Sequence, residues 1–295
     1  MLKIKVPATT TNFGSGFDSL GMAVNLYNEF YIESSPALEI VVEEAYRGLI
    51  PADHRNLVYR AAEKVFAELG EPVPGFRITQ KTNIPMSRGL GSSASCIVAG
   101  ILAANEWTGH RLGRQKLLDI AVSLEGHPDN VLPALVGGFT TAMMENGTTK
   151  YIRNRIDPKF VFFFMVPPFE LSTGKARSVL PGSYTSGDAV ASIARALFMA
   201  ASLKDGNTEA LKYACDDVIH QCYRSGLIDN YDEVVMTAYS CGADGVYLSG
   251  AGPSIAAIVS SDFGGFMDLC AKKLPKRWMI LQTSPDYCGA VVEII

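Results

Sequence analysis

The chain of 295 residues has no long hydrophobic run. No apolar stretch approaches the ~20 residues that a membrane span needs. The opening "MLKIKVPATTTN" lacks the apolar segment and cleavage signal of a secretory leader. Basic residues are not in excess: 26 Lys and Arg stand against 30 Asp and Glu, a formal charge of −4, so no basic face is offered to nucleic acid. The six cysteines (Cys96, Cys215, Cys222, Cys241, Cys270, Cys288) show no CxxC spacing, which argues against a zinc site and against a disulfide framework. They are expected as reduced, mostly buried thiols. Internal repeats and low-complexity segments are also missing. With 48% hydrophobic residues, the chain has enough apolar material for well-filled cores. Its length suggests two domains, and a soluble, cytoplasmic protein mixing helices and strands is expected.

The patterning supports that division. "LKIKV" alternates as a half-buried strand should, whereas "PATTTNFGSGFDSLG" holds so many turn residues that an irregular loop is expected. "FYIES", "LEIVVEEA" and "FRITQK" read as strands. Residues 56–70 read as a helix, with Leu57, Val58, Ala61, Ala62, Val65, Phe66 and Leu69 on one face and Gly70 as its C-cap. Further helices are predicted from the Ser92 region to Trp107 and from Arg114 to Glu125, closed by Gly126. "VGGFTTAMM" and "KFVFFFMVPP" look like buried strands, and the break at Asn154–Pro158 sets a domain boundary after residue 156. The second half offers helices near 188–203, 207–223 and 229–241, the strand–turn unit "GVYLSGAGPSIAAIV", another helix and a closing strand "GAVVEI". Without regular βαβ alternation, the expectation is two α+β halves, 1–156 and 157–295.

The most informative stretch is "PMSRGLGSSASC", residues 85–96. A helix start presents free N–H groups and a positive dipole end, which attract anions, and glycines before it let a phosphate approach the backbone closely. Ser92 and Ser93 could instead be an ordinary N-cap in a tight turn. A Walker A loop requires a lysine that is missing here. The dinucleotide pattern GxGxxG/A is met only loosely, because Pro85, Ser87 and Arg88 interrupt the approach and the downstream "GHRLGRQ" is basic.

Ile84-Pro85-x-x-x-Gly89-Leu90-Gly91-Ser92-Ser93-Ala94 resembles the phosphate loop of the GHMP kinases, the superfamily of galacto-, homoserine, mevalonate and phosphomevalonate kinases. Two further signature regions carry the resemblance over the whole chain. "PATTTNFGSGFDSLG" has the form found in the homoserine kinase branch, and "LSGAGPSIAA", with Gly250 and Gly252, resembles the third glycine-rich loop. The resemblance implies an N-terminal domain like the second domain of ribosomal protein S5, a ferredoxin-like C-terminal domain and a site between them. It implies ATP-dependent phosphorylation of the L-homoserine hydroxyl to O-phospho-L-homoserine, on the route to threonine, and often a homodimer.

On that resemblance, Pro85, Met86, Ser87, Arg88, Gly89, Leu90, Gly91, Ser92, Ser93, Ala94 and Ser95 would cradle ATP, and Asn56 would face the adenine, although Asn56 also suits an N-cap. Glu125 stands in the last turn of its helix, where the dipole disfavours an anion. A solvated surface residue is one reading. The likeness of "LEGHPDNVLPALVGGF" to the homoserine kinase segment makes Glu125 a Mg²⁺ ligand with Ser92 or Ser93. Asp129 and Asn130 are catalytic candidates beside the γ-phosphate; a self-bonded polar turn is the alternative. Two guanidiniums, Arg177 and Arg224, can hold one carboxylate. Asn12, Asp18, His127 and Thr173 complete the substrate set. An ammonium partner such as Asp18 favours homoserine over mevalonate. The rival readings are a kinase for another small alcohol and a non-catalytic ATP or amino-acid binder.

Overall fold

The structure is a computed structural model that describes residues 1–260 and 264–295. In chain order the elements are β1 (Leu2–Asn12), β2 (Gly16–Ser34), β3 (Glu39–Val42), α1 (Leu57–Leu69), β4 (Phe76–Lys81), α2 (Ser92–Trp107), α3 (Arg114–Glu125), α4 (Pro128–Val136), β5 (Phe139–Glu145) and β6 (Thr148–Asn154). The second half has β7 (Phe160–Val166), α5 (Thr173–Ser178), α6 (Ser186–Asp205), α7 (Thr208–Ala214), α8 (Gln221–Arg224), α9 (Tyr231–Ser240), β8 (Gly245–Leu248), β9 (Ile255–Ser260), α10 (Phe266–Lys273), β10 (Met279–Thr283) and β11 (Val291–Ile294).

Two sheets result. The first has seven strands in the order β11-β1-β2-β4-β3, with β5 joined to β2 and β6 to β5. Helices α1 to α4 cover it, and Ile4, Val6, Phe30, Ile78, Val65 and Val98 share one core. The second sheet, β10-β7-β9-β8, is antiparallel throughout. Its strand β7 explains the run "FVFFFMV". Phe160, Phe162 and Phe164 pack with Met199 and Leu203 of α6, while Phe163 and Met165 face Val234 and Phe266. A strand covered on both faces is apolar at every position. The core under α6 also takes in Ala8, Phe13, Met22 and Phe139 of the first half, so the halves are fused by packing. No helix among the described residues is long and apolar enough to cross a membrane.

Three expectations are corrected. "PATTTN" is strand, not loop: Thr9, Thr10 and Thr11 are buried in β1, and Thr10 shares hydrogen bonds with the hydroxyls of Tyr247 and Ser249 at 2.9 Å each. β-branched threonines suit a strand, and the hydroxyls of Thr9 and Thr10 are satisfied there, while that of Thr11 has no partner among the described residues. The helix expected over 207–223 is broken into α7 and α8, because Asp217 takes the N–H groups of Ile219, His220 and Gln221 and starts the chain afresh. The polar stretch after Gly126 is the first turn of a helix, α4, with Pro128 at its start. The link between β6 and β7 separates the two sheets near residue 156, but β11 returns to pair with β1.

Candidate functional site

A cleft of about 330 Å³ lies where the two halves meet, with the start of α2 on one wall. The preceding loop is shaped by glycines. Gly89 and Gly91 have φ of 72° and 70°. A Cβ on Gly91 would sit 1.9 Å from the Thr9 hydroxyl, and one on Gly89 2.2 Å from the Ser249 carbonyl. Only glycine permits both the left-handed backbone and the close approach. Gly91 is the N-cap and no side chain caps α2, so the ordinary serine-capped turn is excluded. The first N–H groups of α2 have no acceptor within the helix.

Glu125, at the end of α3, reaches the same wall. Its Oε2 lies 3.4 Å from Ser93 Oγ. Gly126 turns the chain away in the left-handed conformation at φ 93°. Burial pushes the Glu125 pKa up; the nearby Asp129 adds to this, while His127, Ser93 and Arg177 oppose it. Among the described residues no cation forms an ion pair with Glu125. An oxygen pair of this kind, one carboxylate and one hydroxyl, suits a hard divalent cation.

The same cleft carries a charged cluster. Arg177 Nη2 pairs with Asp18 Oδ1 at 2.7 Å. Arg224 is buried, and Phe17 packs against both guanidiniums at 5.1 and 5.4 Å. Burial and the neighbouring Arg177 lower the Arg224 pKa to about 10. His127, the residue before α4, is bonded through Nδ1 to Asp129 Oδ1. Burial opposes its protonation, but the hydrogen bond and charge of Asp129, with Asp18 and Glu125, outweigh this and raise the His127 pKa. Asp18, His127 and Asp129 offer ligand atoms within 4.8 Å of one another, a second place where a cation would be tolerated. Arg177 already pairs with Asp18, and His127 already holds Asp129 by a hydrogen bond, which leaves the Glu125–Ser93 pair as the better fit.

The expected residues divide clearly. Met86 to Ser93, Glu125, His127, Asp129, Asn130, Asp18, Thr173, Arg177 and Arg224 all line the cleft. Pro85 lies outside its lining, and Ala94 and Ser95 turn into the core on the far side of α2, where Ser95 Oγ bonds the Ser92 carbonyl and Asn28. Asn12 borders the cleft but spends its amide on structure, accepting from the Asp18 N–H at 3.0 Å and donating to the Gly250 carbonyl at 2.8 Å. Asn56 likewise caps α1 through the Val58 N–H and donates to the Pro51 carbonyl. Sequence reasoning missed the apolar wall of Leu49, Ile50 and Leu57. It also missed Thr9, whose hydroxyl donates to Asn130 Oδ1 at 2.7 Å.

Comparison with known proteins adds to this geometry. Residues 56–138 match the GHMP kinases N terminal domain and residues 199–263 the GHMP kinases C terminal family. A homoserine kinase of Clostridium botulinum (strain Eklund 17B / Type B) is 42% identical over 299 residues, covering 99% of this chain and 98% of that protein. Another, from Clostridium botulinum (strain ATCC 19397 / Type A), is 39% identical over 298 residues and 99% of both chains. The crystal structure of homoserine kinase from Cytophaga hutchinsonii superposes with a TM-score of 0.88 at 27% identity, covering 99% of this chain and 97% of that one. Mevalonate kinase of L. major in complex with R-mevalonate shares the fold at a TM-score of 0.72 and 18% identity, over 95% and 94% of the chains.

Proposed function

This chain belongs to the homoserine kinases of the GHMP kinase family, and we propose that its cleft transfers the γ-phosphoryl group of ATP to the side-chain hydroxyl of L-homoserine. The products are ADP and O-phospho-L-homoserine. The observation that carries this reading is the pairing across one cleft of an uncapped helix start with two arginines and an aspartate. The first suits a triphosphate; the second suits an α-amino acid.

Residues 86–93 hold the phosphates through backbone N–H groups. The adenine lies along Leu49, Ile50 and Leu57, next to Asn56. Ser93 Oγ and Glu125 Oε2 would hold Mg²⁺. That ion, when bound, offsets charge on the β- and γ-phosphates. Arg177 and Arg224 fix the substrate carboxylate, and Asp18 receives its ammonium. Asp129 is bonded to His127 in the first turn of α4, so it is not a free carboxylate base. Rate acceleration then comes from positioning and charge, which a loose phosphoryl-transfer transition state permits. Asn130 lines the cleft with its Oδ1 occupied by Thr9, so its NH₂ would be the group that donates to the transferring phosphoryl group. The hydroxyl proton passes to the phosphoryl oxygens.

We place the enzyme in the cytoplasm, a reading supported by six unpaired cysteines. We also propose a homodimer through α6, whose Val190, Ile193, Leu197 and Phe198 are all more than half exposed at helical spacing. The functional test is coupled ADP release with Mg·ATP and L-homoserine, D-homoserine, L-serine, L-threonine or mevalonate. Selective turnover of L-homoserine is expected. Preference for another alcohol would sink the acceptor assignment, and tight ATP binding with no turnover would sink the enzyme.

A further inference from the structure

We propose that His220 is a positioning residue for substrate binding: its Nε2–H grips the Gly14 carbonyl and its Nδ1 accepts from Arg224, fixing that arginine for an amino-acid carboxylate. The proposal rests on the reading of Arg224 given above. His220 itself is fully buried and does not line the cleft.

The hydrogen bonds determine the tautomer. His220 Nε2 is 2.9 Å from the Gly14 carbonyl oxygen, which can only accept, so Nε2 carries a hydrogen. His220 Nδ1 is 3.2 Å from Arg224 Nη1, which can only donate, so Nδ1 carries a lone pair. Both contacts hold together only in one neutral form of the ring. Burial, with the charge of Arg224, lowers the His220 pKa against the opposing pull of Asp217, which agrees with that form. The Asp217 carboxylate, 3.8 Å away, is spent on the backbone N–H groups of residues 219–221.

The consequence falls on Arg224. Its Nε donates to the Ala176 carbonyl at 3.1 Å, and Nη1 divides between His220 and the Gly250 carbonyl at 3.2 Å each. Among the described residues Nη2 has no hydrogen-bond partner, while Arg224 lines the cleft. Three anchors therefore hold the guanidinium plane and leave one edge for a ligand. His220 supplies the only side-chain anchor of the three. It also stacks on Phe17 at 5.1 Å and 25°, and Phe17 is the residue against which both arginines pack. One imidazole thus ties Gly14, in the turn between β1 and β2, and Phe17 of β2 to the arginine of the second half.

Three variants separate the two hydrogen bonds. Asparagine places an amide oxygen near the Nδ1 position and keeps an acceptor for Arg224. Glutamine places an amide nitrogen near the Nε2 position and keeps only the Gly14 contact. Alanine keeps neither. Expected is a rise of about tenfold in KM for L-homoserine in His220→Ala and His220→Gln, the loss of one hydrogen bond to a charged group. His220→Asn should stay within about threefold of wild type, and all three should keep KM for ATP. Equal KM for L-homoserine across the three, or parallel rises for both substrates, overturns the proposal. A second measurement needs neither turnover nor mutation: the ¹⁵N spectrum of histidine-labelled wild-type protein. A neutral Nε2–H ring for His220 is expected; an Nδ1–H or cationic ring overturns the proposal. A wild type that ignores L-homoserine would refute the functional reading, and the imidazole spectrum would still decide the state of His220.

Discussion

Replacing Glu125 by glutamine should move stability and activity in opposite directions. The carboxylate is largely buried, has no ion-pair partner among the described residues and sits near Asp129, so its pKa in the folded chain is raised above the ordinary 4.5. A carboxyl group with a raised folded pKa favours folding when protonated and opposes it when ionised. Its contribution is therefore most favourable below about pH 4.5 and declines as pH rises through the folded value. Glutamine keeps the shape and loses the charge. The ligand-free Glu125→Gln protein should melt at or above the wild-type temperature at pH 7, and its advantage should grow as pH is raised from 4.5. With Mg·ATP the sign reverses. One unit charge about 4 Å from a cation is worth ~4 kcal/mol at an effective dielectric of 20, so after solvation losses about 3 kcal/mol is at stake, roughly 10²-fold in kcat. The assay is ADP release across a Mg²⁺ titration, run beside ligand-free thermal melts at several pH values. A variant that melts several degrees lower while keeping wild-type kcat and Mg²⁺ dependence would refute the reasoning, because Glu125 would then be structural.

The other expectations concern the charged cluster of the cleft, its scaffold and the outer surface. Arg177→Ala removes a guanidinium paired with Asp18 at 2.7 Å and should raise KM for L-homoserine by about 10- to 100-fold in the ADP-release assay, with KM for ATP unmoved. Thr9→Val removes the hydroxyl that fixes Asn130 while keeping the buried shape; kcat should fall about tenfold, and Thr9→Ser should restore it. Leu197→Asp places a charge in the middle of the exposed stripe on α6 and should convert a dimer to a monomer in sedimentation equilibrium without loss of the folded far-UV spectrum.

What the sequence disclosed follows from the range of the physics involved. The phosphate loop was legible because its requirements are local: left-handed backbone at Gly89 and Gly91, close approach, then an apolar helix. The helix α1 with its Gly70 cap, and the apolar strand β7, were legible for the same reason. Helix α4 was hidden because Asp129 and Asn130 carry the composition of a turn and Pro133 interrupts the period; Pro128 at the first helical position was the signal that favoured a helix. The break between α7 and α8 depends on one carboxylate choosing backbone partners, which composition does not reveal. Thr9 and His220 were invisible for a deeper reason. Thr9 reaches Asn130 across 121 positions, and His220 reaches Gly14 across 206. Each contacts a residue of the cleft wall without marking the cleft in its own surroundings. A motif discloses groups that face a ligand, because ligand chemistry restricts residue types locally. Groups that hold those residues in place are restricted only by the packed fold, so one threonine in a run of three and a lone buried histidine gain meaning only once β1, α4 and α8 are brought together.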